Sequence, residues 1–369
     1  MDAQTKALIR DSIRGVAETT DTERGLAINR LPDWTKIHHQ NDSLTAQVAA
    51  KGSGVRILIQ TAATEITFTY RATLDVAEWM GGSAISTVGL SSEGFETSVS
   101  HSNGNRRIWN GPFNPTLVEG EDSKATFTMP PGQEARAISI WLPHNCEIEI
   151  LNLTANEELS PGLPAGSRWV HYGSSISHAG EADTPLGVWP TRVAIDAGLD
   201  LYNLGLAGSC NLENFAARTI AALPADLITL KLGINVANGA SMTERTFIPA
   251  VHALLDTIRQ RQPKTRVVVI SPIYCAGQES LPGPVLFDQN GKAVGSQPRG
   301  VEWVKELTLI RIRRILADAV ANREDENLEY IDGLQLFSAA DAHLMPDGLH
   351  PNAEGYLLIA ERFKQLILS

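Results

Sequence analysis

Three side chains of this sequence have the types and spacing that a serine nucleophile needs. Ser175 follows a short apolar run, Trp169–Tyr172, and a glycine. Asp347 and His350 lie far downstream, three positions apart. A serine hydroxyl is a weak nucleophile, and an imidazole that a carboxylate orients can take its proton. The pattern therefore predicts nucleophilic catalysis with Ser175 as nucleophile, His350 as base and Asp347 as the orienting acid.

Attack on a carbonyl carbon creates an oxyanion, which needs hydrogen-bond donors aimed at it. Gly208 and Asn235 lie between the serine and the Asp/His pair, each just after an apolar run. We predict an oxyanion hole made by the backbone N–H groups of Ser175 and Gly208 and the side-chain amide of Asn235. On its own, Gly208 would be read as a tight turn and Asn235 as a helix cap.

The elements that must position these residues alternate between strand and helix patterns. Alternation of this kind predicts an α/β fold, with a parallel sheet covered on both faces and ligands bound at the carboxyl ends of its strands. The predicted strands are Trp169–Tyr172, Leu199–Leu204, Leu227–Leu232, Arg266–Ile273 and Leu328–Ile331. The predicted helices are Val188–Ala197, Leu212–Leu223, Glu244–Arg261, Glu302–Val320 and Ala353–Leu368. All the candidate site residues would then gather at one edge of the sheet.

The first part of the chain reads as mainly β, after a short helix in the first 15 residues. Polar and apolar residues alternate in Glu65–Arg71, and the other predicted strands are Val55–Gln60, Ala137–Leu142 and Glu147–Leu153. Turn-forming stretches such as 81–83 and 102–105 separate them, which favours a β-sandwich. The segment from Thr154 to Ser167, with two prolines and two glycines in 160–166, is a candidate linker. We therefore expect a β-sandwich domain over 1–155 and an α/β domain over 167–369.

One long segment fits neither pattern. Cys275–Gly300 is rich in glycine and proline and has no clear period. Because a loop of this length in a domain is usually functional or disordered, two interpretations stay open: a lid that shapes the substrate site, or a surface insertion.

The bulk composition excludes several classes of partner. The net charge is −11, which argues against a nucleic-acid or anionic-membrane partner, and no apolar run is long enough to span a bilayer. Met1–Lys6 lacks the basic-then-apolar pattern of a signal peptide, which favours a cytoplasmic protein or one whose leader has been removed. The oligomeric state is left open.

No metal or cofactor is expected. The three cysteines, Cys146, Cys210 and Cys275, have no paired spacing that would indicate disulfides or zinc. His38 and His39 are adjacent, and neighbouring residues in a strand point to opposite faces, so they make poor ligands.

From about Trp169 to the C-terminus, the chain resembles the SGNH hydrolases, also called GDSL esterases or lipases. That family has a flavodoxin-like α/β/α fold and carries Ser, Gly, Asn and His in four blocks. The blocks here are Gly173-Ser174-Ser175-Ile176, Gly205-Leu206-Ala207-Gly208, Gly233-Ile234-Asn235-Val236 and Asp347-Gly348-Leu349-His350-Pro351. The resemblance implies the same roles for Ser175, Gly208, Asn235, Asp347 and His350.

The chain departs from the family pattern at Ser174 and Val236, where aspartate is common. Since Asp347 is the expected triad acid, the change at Ser174 should not abolish catalysis. The chain looks like a subgroup with a preceding β-domain, similar to two-domain carbohydrate esterases that carry a jelly roll. That likeness implies a jelly-roll-like first domain and a carboxylic ester substrate with a short acyl group, such as acetyl on a carbohydrate or another polyol.

Plainer interpretations stand beside several of these residues. Ser175 could be a turn or cap residue, and Ser174 is a competing nucleophile one position away. His171 is expected to be structural in its strand, and Glu213 to be an exposed first-turn residue and not a substrate contact. Trp189 and Trp303 are expected to take part in core or rim packing and not to form substrate platforms, and a reach of His178 to the site mouth is the less favoured of its interpretations. Two rival functions remain, a glycan- or partner-binding protein on a degenerate hydrolase fold and an acyltransferase that uses the same triad.

Overall fold

The computed structural model describes residues 1–40, 42–76, 85–109, 115–131 and 134–368. The chain forms two compact units. The first consists of Met1–Ala165 and Asp183–Thr191, and the second of Gly166–Ala182 and Arg192–Ser369. The domain boundaries expected from the sequence, 1–155 and 167–369, stay a prediction. The described residues contain no helix that is long and apolar enough to span a membrane.

The first unit is built mainly of strands. Its helices are α1 (Ala3–Ser12) and α2 (Ser43–Ala49), with short 3₁₀ helices at Asp33–His38 and Pro185–Gly187. Its strands are β1 (Ile13–Arg14), β2 (Glu18–Asp21), β3 (Leu26–Asn29), β4 (Arg56–Thr61), β5 (Glu65–Val76), β6 (Ser86–Ser92), β7 (Phe95–His101), β8 (Asn105–Trp109), β9 (Pro115–Val118), β10 (Ser123–Thr128), β11 (Arg136–Trp141), β12 (Glu147–Ala155) and β13 (Ser160–Pro161).

These strands form two sheets that share one core. One sheet has the order β1-β4-β11-β6-β7, with β13 beside β4, and the other has the order β2-β3-β12-β5-β8-β9, with β10 beside β5. All pairings are antiparallel except that of β5 with β8. The core takes residues from both sheets, including Ile57, Leu90 and Ile140 from one and Phe68, Phe127 and Ile150 from the other. The predicted β-rich first unit is confirmed, and its jelly-roll connectivity stays a prediction.

Three stretches predicted as turns or linker have different outcomes. Residues 81–83 lie outside the described part of the chain, whereas Gly104 lies in a bend before β8 with φ of +123°. The expected linker is partly wrong, because its first residues end β12 and Ser160–Pro161 pairs with Gln60 and Ile59 of β4. Proline fits there because β13 is an edge strand, where one missing N–H leaves no ladder partner unsatisfied.

The second unit alternates strands and helices. Its strands are β14 (Arg168–Gly173), β15 (Asp200–Gly205), β16 (Leu227–Lys231), β17 (Arg266–Ile270), β18 (Leu286–Phe287), β19 (Ala293–Val294) and β20 (Leu328–Ile331). Its helices are α3 (Ser175–His178), α4 (Trp189–Ala197, whose residues up to Thr191 group with the first unit), α5 (Asn214–Ala222), α6 (Ile234–Asn238), α7 (Glu244–Arg259), α8 (Leu309–Ala321) and α9 (Ala353–Phe363). Short 3₁₀ helices lie at Ala276–Gln278, Glu302–Val304, Gly333–Gln335 and Ala339–Leu344.

Five parallel strands form the sheet of this unit, in the order β15-β14-β16-β17-β20. In chain order this is 2-1-3-4-5, the flavodoxin-like order, in which successive strands are added first on one side of the first strand and then on the other, so that the switch point lies between the first and third strands. All residues of β16 are buried, as expected for a strand covered on both faces. The predicted parallel α/β sheet is confirmed, and its first three strands end next to one another.

The long helix predicted over Glu302–Val320 is wrong at its start. Glu302–Val304 forms only a 3₁₀ turn, and Lys305 then takes the left-handed conformation with φ of +49°. The helix α8 begins after Thr308, whose side chain accepts a hydrogen bond from the N–H of Arg311. The last predicted helix is α-helical only to Phe363, and Lys364–Leu368 forms a π-helical turn.

Candidate active site

The local backbone distinguishes the two adjacent serines at the end of β14. Ser174 is fully buried and caps α3, because its hydroxyl accepts the N–H of Ile176 and its carbonyl accepts the N–H groups of Ser177 and His178. Ser175 is the first residue of α3 and is only partly buried. Gly173 cannot carry a side chain, because a Cβ there would lie 2.2 Å from the Ser177 hydroxyl. Ser175, and not Ser174, is therefore the serine whose side chain is partly exposed at the end of β14.

The three side chains with triad chemistry form one hydrogen-bonded chain. The Ser175 hydroxyl lies 2.9 Å from Nε2 of His350, and Nδ1 of His350 lies 2.7 Å from Oδ2 of Asp347. The other oxygen of Asp347 accepts the backbone N–H groups of Leu349 and His350, at 2.8 and 2.7 Å. The loop before α9 thus fixes its own carboxylate, which in turn holds the imidazole toward the serine.

The charges around the imidazole favour its protonated form. Burial alone would lower the pKa of His350, but the hydrogen bond to Asp347 and the negative charges of Glu181 and Asp347 outweigh it and raise that pKa above 6.5. Burial likewise acts to raise the pKa of Asp347, yet its hydrogen bonds with His350 leave that pKa lowered. Asp347 is therefore ionised when His350 accepts a proton.

Three hydrogen-bond donors lie just after the ends of β14, β15 and β16. Ser175 begins α3, Gly208 follows β15 with φ of +73°, and Asn235 lies in α6 after β16. The side-chain oxygen of Asn235 accepts the N–H of Cys210 at 3.1 Å, which fixes the amide so that its nitrogen is on the other side. Neither that nitrogen nor the N–H of Ser175 or Gly208 has a hydrogen-bond acceptor among the described residues. All three remain available to an oxyanion.

A family model for GDSL-like lipases and acylhydrolases matches residues 171–358. The match extends from the end of β14, just before Ser175, into α9, just after His350. The chain belongs to the GDSL-like lipase/acylhydrolase family. Membership makes it a hydrolase and confirms the resemblance seen in its four sequence blocks. No curated protein sequence matches the chain.

Solved structures of similar fold align with almost the whole of this acylhydrolase. A salicylyl-acyltransferase from a tetracycline biosynthetic pathway has a TM-score of 0.77 at 22% identity, with 97% of this chain and 94% of that one covered. A GDSL-like lipase from Bacteroides ovatus has a TM-score of 0.66 at 19% identity, with 96% and 94% covered. A family two carbohydrate esterase from Clostridium thermocellum, in complex with cellohexaose, has a TM-score of 0.56 at 13% identity, with 96% and 98% covered. At these identities the likeness is one of fold.

Two other histidines near Ser175 are buried in the acylhydrolase. His171 is buried between the hydroxyls of Thr229 and Ser177, at 2.6 and 2.7 Å, and burial lowers its pKa to about 3, so it is a neutral structural residue. His178 is buried and its Nδ1 lies 3.3 Å from the carbonyl of Gly205, so it does not reach a site mouth.

Two further expectations concern Glu213 and the tryptophans. The expected exposure of Glu213 is wrong, because the Tyr172 hydroxyl donates to its carboxylate at 2.6 Å and burial raises its pKa. Trp189 is fully buried, and Trp303 is 83% exposed.

No three metal-ligating side chains cluster among the residues that the structure describes.

The sequence analysis missed a second carboxylate at the imidazole. Oε1 of Glu181 lies 3.8 Å from Nδ1 of His350, the same nitrogen that Asp347 contacts. Its other oxygen accepts the hydroxyl of Tyr356 on α9 at 2.6 Å. Neither residue belongs to a recognisable block, and 175 positions separate Glu181 from Tyr356, so no periodicity or spacing indicated the contact.

The Cys275–Gly300 segment is attached to both sides of the site. The N–H of Val285 donates to the carbonyl of Asn238, at the end of α6, at 2.9 Å. The N–H of Ala293 donates to the carbonyl of Asp347 at 2.7 Å. The segment around the hairpin β18–β19 therefore connects the helix of Asn235 to the loop of Asp347, which favours a shaping role over a detached surface insertion.

Replacing Asn235 with aspartate should separate its donor role from its structural one. Aspartate can still accept the N–H of Cys210 but offers an acceptor where the oxyanion needs a donor. We expect kcat for ester hydrolysis to fall by about 10²–10³ while the melting temperature changes little. Steady-state kinetics and thermal unfolding measure the two effects. The matched control is Asn214→Asp, an exposed first-turn residue of α5, and equal rates for the two variants would contradict the assignment.

Proposed function

We propose that the protein is a serine esterase that hydrolyses a carboxylic ester through an acyl-enzyme. The observation that carries this proposal is the chain of hydrogen bonds from Ser175 through His350 to Asp347, beside three donors that have no acceptor in the described part of the chain. This arrangement supplies a nucleophile, a base and an oxyanion hole without a metal or a cofactor.

In the proposed reaction, the Ser175 hydroxyl attacks the ester carbonyl as Nε2 of His350 takes its proton. The N–H groups of Ser175 and Gly208 and the Asn235 amide bind the oxygen that gains the negative charge. The tetrahedral intermediate collapses, and His350 gives the proton to the leaving alcohol. A water molecule then repeats the attack on the acyl-serine, which releases the acid and restores the enzyme.

For the substrate, we propose a short acyl ester, such as an acetyl group on a carbohydrate or another polyol. The fold likeness to a carbohydrate esterase bound to cellohexaose supports this class. Since fold likeness alone does not determine a substrate, the acyl length and the alcohol remain parts of the proposal.

Acyl transfer is the second candidate. The fold likeness to a salicylyl-acyltransferase, over 97% of this chain, favours it. Transfer and hydrolysis share the first half of the reaction and differ in whether an alcohol or water attacks the acyl-serine. The choice therefore depends on access of the second nucleophile to the acyl-enzyme.

The test has two parts. A fluorophosphonate probe should label the protein, and peptide mass spectrometry should place the label on Ser175. Incubation with p-nitrophenyl acetate and a polyol acceptor, with product analysis, should then show acetate as the main product. Label on another residue, or none, would overturn the serine mechanism, whereas acylated acceptor as the main product would replace the esterase with a transferase.

A further inference from the structure

We propose that Glu181 is a second acid for His350: it acts on the same ring nitrogen as Asp347, partly replaces Asp347 when that residue is lost, and is held in place by Tyr356. This inference rests on the proposed function, in which His350 is the base. Glu181 is a positioning residue, because it acts through the histidine and does not touch the reacting atoms.

The geometry gives His350 two carboxylates with different contacts. Oδ2 of Asp347 lies 2.7 Å from Nδ1 and accepts its hydrogen bond, whereas Oε1 of Glu181 lies 3.8 Å from that nitrogen. Glu181 is thus outside hydrogen-bond distance but near enough for a strong charge interaction. A small side-chain movement would bring it into contact with Nδ1 if Asp347 were absent.

Tyr356 limits that movement and directs the carboxylate. Its side chain is fully buried in α9, and its hydroxyl donates to Oε2 of Glu181 at 2.6 Å, which leaves Oε1 turned to the imidazole. Glu181 itself follows α3, so the segment that presents the nucleophile also presents the second acid. Because the Glu181 side chain is 45% exposed, solvent weakens its field but also permits it to move.

The other charged and titratable groups near this pair do not duplicate the role of Glu181. Burial raises the pKa of the Cys275 thiol to about 12, and the negative charge of Asp347 acts in the same direction. The thiol is therefore uncharged. Lys292 of the hairpin binds the carbonyl of Pro346, next to Asp347. The negative charges that raise the pKa of His350 are those of Glu181 and Asp347.

A simpler interpretation is that Glu181 only ties the α3 segment to α9 through Tyr356. A purely structural tie predicts that its loss lowers stability and leaves the titration of His350 unchanged. The second-acid role predicts a change in that titration, so a direct measurement of the His350 pKa separates the two interpretations.

The first experiment measures this pKa without any need for catalysis. In the Ser175→Ala protein with labelled histidine rings, the His350 resonance is assigned by its loss in His350→Gln and followed by NMR as pH changes. We expect Glu181→Gln to lower the pKa of His350 and Tyr356→Phe to lower it less. The control Glu354→Gln removes the same charge from an exposed position of α9 and should leave it unchanged. An unchanged pKa in Glu181→Gln would overturn the inference.

The second experiment measures the replacement of Asp347. Loss of the only acid of such a triad costs about 10⁴ in kcat. With Glu181 available, we expect Asp347→Ala to lose only about 10², and Asp347→Ala/Glu181→Gln to reach about 10⁴. If Asp347→Ala already loses the full amount and Glu181→Gln adds nothing, the replacement role is wrong.

The two proposals fail in different ways. If Ser175→Ala hydrolysed esters as fast as the natural protein, the serine mechanism would fail, yet the NMR titration would still report on Glu181 and His350. If the titration did not respond to Glu181, the second-acid role would fail and the serine mechanism would be untouched.

Discussion

Ser175→Ala should lower kcat for p-nitrophenyl acetate by about 10⁶, close to the rate of the oxyanion hole acting alone. Removal of the hydroxyl leaves His350 with no proton to accept and no acyl-enzyme to form. The donors of Gly208 and Asn235 remain, so some stabilisation of direct water attack survives. Burst kinetics provide the measurement, because the natural protein should release nitrophenol faster than acetate in the first turnover and the variant should show no burst.

The neighbouring serine supplies the matched control. Ser174→Ala removes the hydroxyl that caps α3, which should cost about 1 kcal/mol of stability and change kcat far less than Ser175→Ala does. Thermal unfolding and kcat together test the pair. If Ser174→Ala were the inactive variant, the two serines would have been assigned in the wrong order.

Much of the second unit could be predicted from sequence because its central strands β16 and β17 are largely buried. Four of the five residues of β17 are valine or isoleucine, whereas β16 has Thr229 and Lys231 beside three apolar residues, and helical periods separate the strands. The residues that follow β14, β15 and β16 include Ser175, Gly208 and Asn235, so the site could be placed once the sheet was parallel. The strand order 2-1-3-4-5 could not be derived from these runs, because the residues of a strand do not specify which strand lies beside it in the sheet.

The strands of the first unit were harder to predict because many of them are polar. Strand β5 alternates buried and less buried residues along its length, and this alternation predicts its first part, Glu65–Arg71, whereas the side chains of β9 are all exposed. Strand β7 contains four serine, threonine or glutamate residues and only two apolar ones, Phe95 and Val99. Their ladder hydrogen bonds with the preceding strands, β6 for β7 and β8 for β9, stabilise them although their own residues show no clear apolar period.

Local backbone geometry explains the error at α8. Trp303 and Val304 continue the apolar period of Leu309–Ala321, so the pattern favoured one long helix. The left-handed turn at Lys305 depends on tertiary contacts, including the pairing of Glu306 with Thr243. The same limit hid Glu181, whose contact with the imidazole exists only after the segment that follows α3 has come together with α9 and the loop before it.

His350→Ala should also lower kcat by about 10⁶, and it should change the pH profile as well as the rate. The base must be neutral to accept the serine proton, so kcat/KM of the natural enzyme should rise with pH through the pKa of His350. Since the flanking carboxylates outweigh burial and raise that pKa, the acidic limb should lie at higher pH than the ordinary pKa of a free imidazole would give. In His350→Ala this limb should vanish, leaving only a slow rate that increases with hydroxide concentration.

The matched control for this prediction is His343→Ala, an exposed histidine seven positions upstream whose Nδ1 lies 3.2 Å from the carbonyl of Ala340. It should retain both the rate and the acidic limb. An acidic limb well below pH 6.5 in the natural enzyme would mean that a carboxylate, and not the imidazole, controls the rate. Glu181→Gln should move the limb toward lower pH while leaving it present, because one of the two charges that stabilise the protonated imidazole is gone. A limb that disappears in His350→Ala and shifts in Glu181→Gln would connect the proton of Ser175 to both carboxylates through one ring.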